Sequence, residues 1–173
     1  MEDKIKLNIA ILTISDSRTK ETDKSGDLLA KLIVESDHKV IDREIVKDNI
    51  YSIRKTISAW IDKESVNAVI STGGTGVTGR DGTPEAVEVL FDKKINGFGE
   101  IFRYISYKKI KTSTVQSRAL AGVANSTYIF CLPGSPGACK DAWIEIIQHQ
   151  LDSRNKPCNL VELMPRLKNY PPI

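Results

Sequence analysis

The chain predicts a three-layer α/β/α domain with a mostly parallel sheet, on three observations. Apolar, β-branched runs alternate along the sequence with stretches whose apolar residues recur at helical spacing. The first run, Leu7–Ile14, has no polar face, which is the pattern of a strand buried on both sides in a parallel sheet. Four segments that follow strands are rich in Ser, Asp, Gly or Pro, and ligands of such sheets bind beyond the carboxyl ends of the strands.

The elements follow in order. After the strand over Leu7–Ile14, residues Leu28, Leu29, Leu32 and Ile33 share one helical face. Val40–Val46 alternates apolar and charged residues, as a half-exposed strand does. Ile53, Ile57, Trp60 and Ile61 have helical spacing, with Asp48 or Asn49 as the N-cap. Val66–Ser71 is a third strand. Helical stretches are expected over about 84–92, 97–108 and 113–122. Thr83 caps the first of these, with Pro84 in its first turn and Glu85 favourable to the helix dipole. Thr127–Leu132 is another strand, Pro133–Gly137 a turn, and Trp143, Ile146, Ile147 and Leu151 mark an amphipathic helix. The chain reads as one domain over residues 1–173, long enough to bury a real core. From about residue 155 a proline-bearing tail is expected to run irregularly over the surface or onto a neighbouring subunit.

Composition narrows the function. A net charge of +3 without a Lys/Arg stripe argues against a nucleic-acid partner. No apolar run approaches the ~20 residues of a membrane span, and the N-terminal Met-Glu-Asp-Lys-Ile-Lys is unlike a secretory leader. The expected location is the cytoplasm. Three cysteines with no Cys-x-x-Cys pair give neither a disulfide framework nor a zinc site. Cys131 and Cys139 read as packing residues. His38 and His149 have no partner at ligand or base spacing, so nothing supports a nucleophile-plus-base mechanism.

The loop after the third strand is the most informative segment. Five glycines, Gly73, Gly74, Gly76, Gly79 and Gly82, fall within ten residues between a strand and a helix start. Glycine allows positive φ and close backbone approach, and such a turn aims several N–H groups at one point, which suits an anion. A phosphate-bearing ligand is the expectation. Gly74–Gly79 formally matches G-x-G-x-x-G, but it follows the third strand, and Pro84 delays the helix past the place a dinucleotide fingerprint requires. The Walker A alternative fails because Arg80 and Asp81 stand where Lys and Ser/Thr are needed. Asp81, among glycines, either closes an Asx-turn or binds a metal or ligand. Asp48 either caps a helix or coordinates Mg²⁺ from a strand end. Pro133-Gly134-Ser135 brings free N–H groups to a helix N-terminus, and Ser117-Arg118 either faces solvent or contacts phosphate.

Thr13-Ile-Ser-Asp16, Asp23-Lys-Ser-Gly26, Thr72-Gly-Gly-Thr-Gly76, Arg80-Asp81, Thr83-Pro84-Glu85, Gly97-Phe-Gly-Glu100, Ser117-Arg118 and Pro133-Gly-Ser135 occur in this order. Together they closely resemble the MoaB/Mog family of molybdenum-cofactor biosynthesis proteins, over about Ile5 to Cys158. Ser117–Gly122 and Pro133–Ala138 look like the MoaB branch. The resemblance implies a three-layer α/β fold assembled as a homotrimer or homohexamer. It implies binding of molybdopterin, a pterin with a dithiolene and a terminal phosphate. It also implies adenylylation of that phosphate with ATP and Mg²⁺ before molybdate or tungstate insertion, with other enzymes of the pathway as partners. The family's acids carry over to Asp48 and Asp81, as catalytic and metal-holding groups. Its ligand-binding segments carry over to Ser15 and Asp16, to Thr72, Gly73, Gly74, Thr75 and Gly76, to Arg80, to Ser117 and Arg118, and to Pro133, Gly134 and Ser135. The other reading of the same pocket is a carrier or scaffold of the pathway without catalysis.

Overall fold

The computed structural model describes residues 3–167, and the predicted first strand, β1 (Asn8–Ile14), lies in the middle of it. Successive side chains of a strand leave on opposite faces. Ile9 and Ile11 enter one buried cluster, and Ala10, Leu12 and Ile14 enter another. A strand that feeds two cores needs a helical layer on each side, which is why its sequence has no polar face. β1 pairs in parallel with β2 (Lys39–Val46) on one side and β3 (Ala68–Thr72) on the other. β3 pairs in parallel with β6 (Thr127–Leu132). β5 (Leu120–Ala124) and the two-residue β4 (Lys93–Lys94) complete the far edge in antiparallel fashion, giving the order β2-β1-β3-β6-β5-β4.

The first cluster receives Leu29 and Ile33 of α1 (Lys24–Glu35), Phe98 and Phe102 of α4 (Asn96–Ile110), and Cys139 and Ala142 of α5 (Pro136–Ala142). The second receives Ile53, Ile57 and Trp60 of α2 (Ile50–Ile61) and Ala86 and Val87 of α3 (Thr83–Val87). Helices therefore cover both faces of the sheet, and the predicted three-layer α/β/α class is present. α5 continues through a π-helical stretch, Trp143–Ile147, whose Trp143 and Ile147 are buried as their spacing predicts.

Several local expectations change. No helix runs over 113–122. A 3₁₀ stretch ends at Gln116, Ser117-Arg118 is a connector, and Leu120–Ala124 is β5, hydrogen-bonded to β6. Ala-Leu-Ala favours helix in isolation, and sheet pairing overrides it. The small residues there make room for a neighbour: a β-carbon on Gly122 would lie 2.5 Å from the Phe91 ring. Asn49, not Asp48, caps α2, its side chain accepting from the Tyr51 and Ser52 N–H groups. Thr83 is the first residue of α3 rather than its cap, and its hydroxyl donates instead to the Gly73 carbonyl at 2.8 Å. In the tail, residues 155–160 are irregular, but Val161–Leu163 and Met164–Leu167 form helical turns, with Val161 buried on the first cluster. The remainder, 168–173, lies outside the described residues.

Candidate functional site

The four polar segments converge at the carboxyl ends of β1, β2, β3 and β6. Ser15 N–H donates to the Val46 carbonyl, Gly73 N–H to the Leu132 carbonyl, and Asp48 N–H to Asp16 Oδ1. Thr72 Oγ1 donates to the Pro133 carbonyl and Ser25 Oγ to the Gly134 carbonyl, so the loops after β3 and β6 are tied to one another and to α1. Beside them opens a cavity of about 550 Å³, a volume suited to a small-molecule ligand. Ser15, Thr72, Gly73, Gly74, Thr75, Gly76, Asp81, Pro133, Gly134 and Ser135 line one side of it. Phe102, Ser106 and Ile110 of α4, with Ser117, also line it.

The glycine loop takes a path open to few other residues. Gly73 and Gly74 have φ of +109° and +64°, and a β-carbon on Gly73 would collide with the Ile14 carbonyl oxygen. Gly74 and Thr75 N–H groups find no acceptor among the described residues. Backbone donors left free on a cavity wall are what an anionic ligand requires.

Two acids abut this loop. Asp81 accepts from Thr78 N–H at 2.9 Å and from its hydroxyl at 2.6 Å, and these bonds hold its carboxyl below the usual range. The expected Asx-turn is absent, since the Thr83 N–H donates to the Gly74 carbonyl; the Asp81 carboxylate reaches back to Thr78 instead, and the residue still lines the cavity. Asp48 Oδ1 accepts from Gly82 N–H at 3.2 Å, while its Oδ2 stands 2.9 Å from where a Gly74 β-carbon would be. Burial pushes the Asp48 carboxyl up, and the charges of Asp81 and Asp16 add to the rise.

The predicted arginines are committed elsewhere. Arg80 grips Asp16 in a forked pair, with Nη2 at 2.7 Å from both carboxylate oxygens. Arg118 braces the glycine loop: Nε donates to the Gly76 carbonyl at 2.6 Å, Nη2 to the Asp81 carbonyl at 2.5 Å, and Nη1 to Glu85. Asp16, Asp48, Arg80 and Arg118 stand around the loop but do not line the cavity.

Sequence reasoning passed over three features. Arg18 lines the cavity, in a segment already singled out for its composition. The α4 wall gave no signal, because its Ser106 and Ile110 sit far along the chain from the loops they face. Asp23 lies beneath the site, fully buried, accepting from Thr13 Oγ1 at 2.7 Å, Arg43 Nη2 at 2.8 Å and Gly26 N–H at 3.0 Å. Burial alone would raise its carboxyl, and those three bonds outweigh it and leave the group lowered. Cys139 packs here too, its sulfur 3.2 Å from Thr72 Oγ1 and its thiol pushed up to about 11 by burial.

Residues 10–153 match the family described as "Probable molybdopterin binding domain". The chain belongs to this molybdenum-cofactor-biosynthesis family. Molybdenum cofactor biosynthesis protein B of Escherichia coli (strain K12) is 53% identical over 155 residues, covering 90% of this chain and 91% of the relative. Its Bacillus cereus counterpart is 50% identical over 142 residues, covering 82% and 84%. A crystal structure of a molybdenum cofactor biosynthesis protein B superposes with a TM-score of 0.87 at 42% identity, over 98% of this chain and 100% of that one. The tungsten cofactor synthesizing protein MoaB from Pyrococcus furiosus does so with a TM-score of 0.76 at 30% identity, over 94% and 98%. The likeness to the MoaB branch read from Ser117–Gly122 and Pro133–Ala138 agrees with these names. Among the described residues no helix is long and apolar enough to cross a membrane.

Proposed function

We propose that the chain binds molybdopterin in the strand-end cavity and transfers an adenylyl group from ATP to its terminal phosphate. The observation that carries this is the position of Asp81: it lines the cavity with its carboxylate against Gly76, in the same loop as the free Gly74 and Thr75 N–H groups, and is close enough for its charge to act on Asp48. One loop thus presents anion donors and acids together. A pure carrier of an anion gains nothing from those acids.

A molybdopterin phosphate is largely deprotonated near neutral pH, so its oxygen attacks the α-phosphorus of ATP without a strong base, and pyrophosphate leaves. That fits a site with no histidine among its lining residues. The obstacle is repulsion between anions. Gly74 and Thr75 N–H groups hold the phosphate at a fixed place, and fixed donors stabilise charge without reorganising. Arg118 and Thr78 keep the loop and Asp81 in position, and Phe102, Ser106 and Ile110 of α4 complete the cavity lining. Holding two substrates together supplies much of the remaining acceleration.

The donor set fits Mg²⁺. Asp48 and Asp81 offer hard carboxylate oxygens at Gly74 and Gly76 of the same loop, and no group of three or more His, Cys, Asp or Glu with metal-holding geometry occurs among the described residues. Mg²⁺ characteristically takes one or two carboxylates and completes its shell with substrate phosphates and water. Bound there, it would neutralise charge on the phosphates.

The test is direct: purified protein, molybdopterin and Mg-ATP, with pyrophosphate and adenylylated pterin as readouts. Stoichiometric release of both is expected. Tight molybdopterin binding without either product would establish the carrier or scaffold reading instead.

A further inference from the structure

We propose that Arg18 is the side chain that recognises the terminal phosphate of the pterin ligand, a role that rests on the proposed function above and extends it to a residue outside the glycine loop. Arg18 is the only Lys or Arg lining the cavity among the described residues. Arg80 and Arg118, which by sequence looked like the phosphate contacts, have their guanidinium groups engaged by Asp16 and by Gly76, Asp81 and Glu85. Arg18 has no such engagement. Its Nη1 donates to the Thr22 carbonyl at 3.0 Å, and among the described residues no carboxylate pairs with it.

The chain holds Arg18 in place from both ends. Its backbone N–H donates to Ser15 Oγ at 3.2 Å, as does that of Ser17 at 3.3 Å, so the turn after β1 closes on the Ser15 hydroxyl. Ser15 in turn is tied to β2 through the Val46 carbonyl. The side chain is half-buried and tethered at one nitrogen. Its remaining donors have no protein acceptor among the described residues, and a guanidinium presenting two parallel N–H groups matches a phosphate dianion. The Arg18 charge also acts on the buried Cys139 thiol, where it opposes the upward push of burial, so the field of this cation extends to the cavity floor beside Thr72.

The geometry makes a division of labour. Backbone N–H groups of the glycine loop give shape and direction, while Arg18 supplies the net positive charge that tells a phosphorylated pterin from a dephosphorylated one. Removal of Arg18 leaves the Ser15 turn intact, because the turn is made by backbone N–H groups.

The experiment is an equilibrium titration of wild type, Arg18→Ala and Arg18→Lys with molybdopterin and with phosphatase-treated, dephosphorylated molybdopterin. Wild type is expected to favour the phosphorylated form. Arg18→Ala should weaken binding of that form about ten- to hundredfold and leave the dephosphorylated form unchanged. Arg18→Lys should recover part of the preference, since it keeps the charge but not the fork. Unchanged affinity of Arg18→Ala for the phosphorylated ligand, or an equal loss for both ligands, overturns the role of Arg18 while leaving the pocket assignment standing. Wild type that binds neither ligand overturns the pocket assignment and this role with it.

Discussion

Beneath the cavity and at its rim the same side-chain chemistry is handled in opposite ways. Asp23, on the floor, is fully buried, yet Thr13, Gly26 and Arg43 meet its two oxygens, and its carboxyl is lowered. Asp48, on the rim, has one N–H donor from Gly82, and its carboxyl is raised by burial and by the nearby charges of Asp81 and Asp16. The floor balances its charge inside the protein and the rim leaves charge over. A buried carboxylate with all its partners in place is costly to take apart, because removing one partner strands the other. A surplus of carboxylate beside free N–H donors is a site waiting for a cation and an anion from outside.

The comparison breaks first at Asp23. Asp23→Ala takes from half-buried Arg43 the buried one of its two carboxylate partners, leaving it only Asp27, and removes the N-cap of α1. Loss of about 3 kcal/mol or more of stability is expected, read from urea unfolding. A variant as stable as wild type would show that the floor is no more structural than the rim.

His38 sharpens the floor side with a pH dependence. It is buried, its Nδ1 accepts from Leu7 N–H, and burial first, then the Lys4 charge, lowers it to about 4. The folded state therefore resists a proton that the unfolded state accepts near pH 6.5, so its contribution is present above that pH and is lost as pH falls toward 4. Stability should drop by about 2 kcal/mol between pH 7 and pH 5, and His38→Gln should flatten that slope. An unchanged slope in the variant would remove His38 from the account.

The smallest effect is expected at the rim pair. Asp16 and Arg80 are both well exposed, and solvent screening leaves an exposed ion pair little net effect on stability. A double-mutant cycle by thermal unfolding should show no coupling beyond the error of the measurement. A larger coupling would mean that the rim, too, is a structural network.

How legible was this in the sequence? The parallel core was plain, because β1 carries apolar side chains toward both clusters and only a two-sided core permits that pattern. The glycine loop was plain as well, since Gly73 and Gly74 mark the positive φ that the path requires. β5 was not: Leu120–Ala124 is written in small, helix-favouring residues, and the reason for them, the Phe91 ring against Gly122, lies about thirty residues away in the chain. Arginine roles were legible only by type. A guanidinium near phosphate-binding glycines reads as an anion contact, whereas Arg118 spends its donors on carbonyls of the loop itself. Pairing of that kind is a three-dimensional fact with no one-dimensional signature. The division between Asp48 and Asn49 was likewise settled by hydrogen bonds, the two that Asn49 accepts from the start of α2.

The most direct test of the division between floor and rim is one variant, Asp48→Asn, measured for stability, molybdopterin affinity and single-turnover adenylyl transfer on the same preparation. Unfolding and molybdopterin binding like wild type are expected, with transfer at least about a hundredfold slower, the scale of losing a charge-stabilising contact in a transition state. Transfer at the wild-type rate, or a slowing that merely follows a loss of stability, would contradict the account.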